Sequence, residues 1–151
     1  LEIFRVLAAD PGVTTGVAVI EYVQESYGYS FWQIDCRNLR AWDDFLRGVN
    51  PDVILYEDFK HRPNLMKAEL YSMQVIGVTR LYAERRNIEI PFTPIPSEAK
   101  AFWTDDKIKK LGLWRTGKNY EHAMDALRVY LTYKMKTDPF WFALMVDKLK
   151  D

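Results

Sequence analysis

Three acidic positions stand out by where they fall. Asp10 closes a short apolar run and opens Asp10-Pro11-Gly12-Val13-Thr14-Thr15-Gly16. Glu57 and Asp58 end the run Val53-Ile54-Leu55-Tyr56. His122 and Asp125 lie three apart in Tyr120–Leu127, a spacing that puts both on one helix face. Successive strand residues point to opposite faces, so only one of Glu57 and Asp58 can share a site with Asp10; Glu57 is taken as that one. Acids gathered at one pole repel each other and call for cations. Oxygen ligands favour Mg²⁺, with Mn²⁺ as its substitute, ions that keep several waters and bind substrate phosphate. Two such ions about 3.5–4 Å apart suit phosphodiester hydrolysis, activating the attacking water and stabilising the leaving oxygen. Each signal also has a plainer reading: Asp-Pro-Gly as turn chemistry, Glu57 as a solvated strand end, Asp125 as a first-turn acid.

The surrounding pattern supplies elements that can position these residues. Phe4–Ala9 reads as a strand ended by a turn, Thr15–Tyr22 as a strand rich in β-branched residues, and Tyr27–Ile34 as an alternating third strand. Short connections between the three predict an antiparallel meander. Gly12 and Gly16 permit a sharp turn and close backbone approach. Leu39–Val49 has helical spacing, and Val53–Tyr56 reads as a central strand. Asn64–Arg86 reads as a long helix with two apolar stripes, one of Met66, Leu70 and Met73, the other of Tyr71, Val75, Val78 and Tyr82. One sheet face does not require so wide an apolar surface, which points to a partner subunit, with Gly77 allowing close approach. Ile88–Ile95 reads as a further strand, near an edge because of Pro91 and Pro94. Ser97 is the expected cap of a helix over Glu98–Lys110, and Asn119 that of a helix over Tyr120–Lys136. The fold class is therefore α/β, a mixed five-stranded sheet flanked by helices. The expected organisation is one catalytic domain over residues 1–137. The tail 138–151 is apolar across Phe140–Val146 and would pack on its own domain or on a partner.

Bulk properties narrow the setting. The chain has 151 residues, with 21 Lys and Arg against 21 Asp and Glu. That balance provides no global attraction to nucleic acid. The charge is segregated, however: Lys60–Lys118 carries 12 Lys and Arg against 6 Asp and Glu. A basic surface around an acidic pocket is one outcome, ordinary solvated helix faces another. The single Cys36 excludes an intrachain disulfide. With no signal-peptide layout and no apolar run long enough to span a bilayer, a cytoplasmic location is expected.

Taken with their order and spacing, Ala9-Asp10-Pro11-Gly12, Glu57 after its strand, Pro96–Lys100 opening a helix, and His122-Ala123-Met124-Asp125-Ala126-Leu127 carry a resemblance. From Phe4 to about Lys136 the chain resembles the RuvC-like Holliday-junction resolvases of the RNase H-like superfamily, and a phage-type member is expected, which if phage-encoded would act in the host-cell cytoplasm. The resemblance implies a homodimer whose two Mg²⁺-dependent sites each nick one of two opposed strands of a four-way DNA junction. By it, Asp10, Glu57 and Asp125 hold two ions. His122 falls where many relatives have Asp and some His, and either ligates metal or orients the water. Lys100 corresponds to a DNA-facing basic position and would contact phosphate. Phe59 lies within about one residue of an aromatic that stacks at the junction centre, and Lys60, His61 and Arg62 would give that loop an electrostatic grip. Zero net charge and the apolar tail depart from the family pattern.

Other readings compete. Sugar kinases and actin-type phosphotransferases also open with an Asp-x-Gly-x-Thr-like turn, but they need two such domains to enclose ATP. A flap or fork nuclease, an RNA–DNA hybrid nuclease, or a non-catalytic DNA-binding module could use the same fold. Dimerisation through the helix over 64–86 favours the two-fold symmetric junction.

Overall fold

Alternation along the first strand decides the two sides of the sheet. The computed structural model describes residues 2–59 and 67–150, apart from the side chains of Ala68 and Pro96. In it Phe4–Asp10 forms β1, with Val6 and Ala8 facing one helical layer and Leu7 and Ala9 the other. All four are buried, as a central strand covered on both faces requires. β2 (Thr14–Val23) and β3 (Ser26–Asp35) complete the expected antiparallel meander. After α1 (Leu39–Val49), β4 (Val53–Tyr56) returns parallel to β1 on its other side.

The sheet has four strands among the described residues, in the order β3-β2-β1-β4, which corrects the expected five. The stretch Ile88–Ile95 does run beside β4: Ile54 N–H donates to Glu89 O at 3.1 Å and Asp58 N–H to Pro94 O at 2.8 Å. Only the single bridge between Val53 and Glu89 forms, however. Pro91 and Pro94 lack N–H groups, so the segment cannot donate at those positions to a regular ladder.

α1 and α2 (Lys67–Arg86) cover the Leu7 and Ala9 face. Trp42 Nε1–H donates to Thr79 Oγ1 at 2.9 Å and Tyr82 O–H to Leu46 O at 3.1 Å, so the two helices are tied by buried polar contacts as well as by packing. Val75 and Tyr82 are buried, whereas Leu70, Met73 and Leu81 are exposed on the other side. The beginning of this helix as read from sequence, Asn64 to Met66, lies outside the described residues.

The opposite face carries α3 (Pro96–Phe102), α4 (Asp105–Lys110), α5 (Glu121–Thr137) and α6 (Pro139–Leu149). The single helix expected over Glu98–Lys110 is broken at Trp103 and Thr104. There the Thr104 side chain caps α4 by accepting from Lys107 N–H at 3.4 Å, and Asp105 and Asp106 favour a helix start. Two expected caps are corrected. Ile95, not Ser97, precedes α3, and its N–H donates to Glu98 Oε2 at 3.3 Å. Tyr120 precedes α5 without a side-chain cap; its first turn is served from β3, where Gln33 Oε1 accepts from His122 N–H at 2.9 Å. The apolar tail is a helix: Asp138 Oδ1 caps it, and Trp141 and Phe142 pack on Trp103 while Phe140 and Leu144 stay exposed. Among the described residues no helix is long and apolar enough to cross a membrane.

Candidate active site

The register of β1 against β4 settles which acid joins Asp10. Ala8 pairs with Leu55, and both belong to the face covered by α5. The next positions of the same parity are Asp10 and Glu57. Glu57 N–H donates to Ala9 O at 3.0 Å, carrying the parallel ladder one residue further. Asp58 has the other parity, and its Oδ1 accepts from Phe59 N–H at 2.8 Å. The turn after Asp10 is fixed by Thr15, whose Oγ1 accepts from Gly12 N–H at 3.2 Å and donates to Gly12 O at 3.0 Å. Ser72 O–H of α2 ties down the same turn by donating to Pro11 O at 2.9 Å.

α5 brings the remaining two residues over this pole. It approaches so closely that a Cβ on Gly16 would lie 1.9 Å from the carbonyl oxygen of His122. Glycine is therefore required there by space, not by backbone angle. His122 Nδ1 stands 3.7 Å from Asp10 Oδ2, a charge contact longer than a hydrogen bond. Attraction to Asp10 raises the imidazolium pKa, partly against the effect of burial. Asp125 is held on both oxygens, by Arg128 Nη1 at 2.8 Å on Oδ1 and by Lys100 Nζ at 3.4 Å on Oδ2.

Glu57 is the most perturbed acid of the group. It is 5% exposed, and its Oε1 finds no hydrogen-bond partner among the described residues. Burial first, then a hydrogen bond and charge repulsion from Asp10, push its carboxyl up to about 9. Lys100 opposes that rise and Asp125 adds to it, so all four groups share one electrostatic environment. A buried carboxyl held neutral beside a second acid, with one oxygen unsatisfied, is a site short of positive charge. Three carboxylates and an imidazole have the donor chemistry of a divalent-cation site, and the orphaned Glu57 oxygen fits one. Among the described residues, no three His, Cys, Asp or Glu side chains converge as a ready ligand group. Asp10 stands between Glu57 on one side and His122 on the other, while Asp125 is drawn to its two cations.

The expected substrate contacts fall in different places. Lys100 sits on α3 beside Asp125, half-exposed. Phe59 is half-buried against the α1 and α2 core. Lys60, His61 and Arg62 lie outside the described residues. Glu121 is exposed and lines a neighbouring cleft with Arg115 and Lys118. That cleft, of about 470 Å³, and a second of about 620 Å³ lined by Lys100, Thr104 and Lys109 meet at Asp105, Asp125 and Arg128. Basic residues of the middle segment thus border Asp125, in clefts that Asp10, Glu57 and His122 do not line.

Two residues were not legible as site components. Gln33 braces the start of α5 from β3, donating through Nε2 to Lys118 O at 3.1 Å while it accepts from His122 N–H. Arg128 holds Asp125. Gln33 and His122 are 89 residues apart and give no local signal. Arg128 does give one, as a charge three residues after Asp125 on a helix otherwise apolar at that point.

No family model and no curated protein matches the sequence. The fold does have solved counterparts. Thermus thermophilus RuvC in complex with Holliday junction substrate superposes with a TM-score of 0.64 at 15% identity, covering 89% of this chain and 96% of that one. Another Thermus thermophilus RuvC structure gives 0.60 at 17% identity, covering 90% of this chain and 98% of that one. At such identity the likeness shows the fold: an α/β arrangement of RuvC type, over nearly the full length of both chains.

Proposed function

We propose that this chain is a divalent-cation-dependent endodeoxyribonuclease of the RNase H-like superfamily that resolves four-way DNA junctions by paired nicks. The observation that carries the reading is the pairing of Asp10 with buried Glu57 beneath His122 and Asp125, on a fold shared with a protein solved on a Holliday junction. Mg²⁺ or Mn²⁺, two ions per site, would supply the activated water and the stabilisation of the leaving oxygen. Asp10, Glu57 and Asp125 hold them. His122 would ligate metal or orient the attacking water, from a position 3.7 Å from Asp10. Lys100 reaches the scissile phosphate or its neighbour from the cleft beside Asp125. Lys109, Arg115 and Lys118 line the flanking clefts and would track the DNA backbone, where contacts position the substrate without reading sequence. Phe59, with Lys60 and Arg62, is assigned to the junction centre.

The exposed face of α2 supports a homodimer. Leu70, Met73 and Leu81 fall on one side of the helix around Gly77, where an added Cβ would meet nothing within 4 Å. A two-fold axis through this face would give two sites for two opposed strands.

The test is cleavage of a labelled four-way junction in Mg²⁺ and in Mn²⁺, beside a flap, a linear duplex and an RNA–DNA hybrid, with Asp10→Asn as control. Paired symmetric nicks in the junction, absent from the variant, are the expected result. Preference for the flap or hybrid keeps the nuclease and overturns the substrate. Cleavage of none, with either ion, leaves a DNA-binding module.

A further inference from the structure

Arg128 lies in α5 among Leu127, Val129 and Tyr130, and is only 8% exposed. A guanidinium so placed needs acceptors for its N–H groups, because a buried, unpaired charge is strongly disfavoured. It has three. Nε donates to the Trp103 carbonyl at 2.7 Å, Nη1 to Asp125 Oδ1 at 2.8 Å, and Nη2 pairs with Asp105. The break between α3 and α4 makes this possible, since it leaves the Trp103 carbonyl outside a helical ladder. The planar fork is thus fixed by α3, α4 and α5 together and cannot rotate without giving up all three contacts.

The consequence falls on Asp125. Its Oδ1 is committed to an immobile donor. Its Oδ2 faces Lys100, a side chain 50% exposed on a longer contact of 3.4 Å. One oxygen is therefore clamped, while the other meets a cation that can move away. We propose that Arg128 is a positioning residue for the nuclease reaction: it clamps Asp125 Oδ1 so that Oδ2 alone is presented to a divalent ion. This rests on the nuclease reading given above. In this role Arg128 acts through Asp125 and not on the substrate or the metal. Donors that orient a ligating carboxylate in this way typically matter by about 10–100-fold in metal affinity or activity.

The competing role is a staple that merely holds the α3–α4 corner on α5. Binding of Mn²⁺ to the full chain without DNA, followed by the loss of the free-ion electron paramagnetic resonance signal, separates the two. Arg128→Met is expected to weaken Mn²⁺ binding by about 10–100-fold. It should lower kcat for junction cleavage while leaving KM for DNA nearly unchanged, because all three guanidinium nitrogens are already committed to Trp103, Asp125 and Asp105. Asp105→Asn removes another partner of the same guanidinium but spares the Asp125 contact, and is expected to bind Mn²⁺ as the wild type does. If Arg128→Met does not fold, Arg128→Lys is measured in its place, alone and combined with Asp125→Asn. The lysine variant should weaken Mn²⁺ binding in the wild-type background and add nothing once Asp125 is changed. A folded Arg128 variant with wild-type Mn²⁺ affinity, equal losses in Asp105→Asn, or additive losses in the double variant would overturn the proposal while the nuclease reading stands. Wild-type protein that takes up no Mn²⁺ would overturn both.

Discussion

Gly16 offers a sharp test of how the fold positions the site. It pairs with Asp10 across β1 and β2, and the first turn of α5 rests on it. In Gly16→Ala the new methyl would lie 1.9 Å from His122 O, 2.0 Å from His122 C and 2.5 Å from Ala123 N. All three are backbone atoms, so no side-chain rotation relieves the clash. Restoring an ordinary contact of about 3.5 Å means moving the start of α5 by roughly 1.5 Å. Overpacking of this kind costs about 1–3 kcal/mol. In a chain of this size that lowers Tm by roughly 3–10 °C. The displaced residue is His122, whose contact with Asp10 defines one side of the site, and a misplacement of about 1 Å can cost on the order of 10²-fold in rate. Gly48→Ala is the matched control: the position is helical and exposed, a Cβ there meets nothing within 4 Å, and the change should stabilise by about 0.4–1 kcal/mol. Thermal melts and metal-dependent cleavage are measured on both variants. Wild-type Tm and wild-type cleavage in Gly16→Ala would refute the argument that α5 is seated on this glycine.

Three further outcomes are expected. In metal-free protein, burial and Asp10 push the Glu57 carboxyl up to about 9, whereas in the unfolded chain it returns to the ordinary carboxyl value of 4.5. The folded state therefore binds the extra proton, and stability falls as pH rises between those values. Glu57→Gln should remove that slope and melt higher than wild type at pH 8 but not at pH 4; equal pH profiles would exclude a buried neutral Glu57. Lys100→Met removes a cation from Asp125 Oδ2, and because the pair is half-exposed the expected gain in Mn²⁺ affinity without DNA is modest, roughly two- to fivefold, alongside weaker DNA binding; weaker Mn²⁺ binding would contradict an exchangeable contact. Leu70→Glu combined with Leu81→Glu places charge on the exposed face of α2 and should convert the proposed dimer to monomer in sedimentation at micromolar concentration; a dimer unchanged by the charges would place the interface elsewhere, and a monomeric wild type would refute the dimer itself.

What was readable in the sequence and what was not divide along a physical line. α1 over Leu39–Val49 and β4 over Val53–Tyr56 fall where periodicity and breakers put them, since each is defined by its own side chains and by flanking Asn50-Pro51. That only one of Glu57 and Asp58 can share a face with Asp10 was readable, because parity along a strand is local; which of the two it is follows from the parallel register, which the sequence does not show. One failure is local and the others are not. Ile88–Ile95 has strand composition, but two prolines withhold the donors that would have made it a fifth strand. Glu98–Lys110 has unbroken helical composition, yet Thr104 starts a new helix at Trp103, and only the folded chain shows what uses the carbonyl released there. Asn119 is a good cap by type and is bypassed because Gln33, on a strand 89 residues earlier than His122, reaches its N–H. The candidate site follows the same division. The acids that would hold ions announce themselves by their place at element ends, whereas Gln33 is an ordinary strand residue until the sheet brings it to the start of α5, and Arg128, on α5 itself, shows its role only once the α3–α4 corner closes on it. Variants of these two residues therefore ask more of the fold than further replacement of the acids, because they alter the geometry of the site while leaving its carboxylates in place.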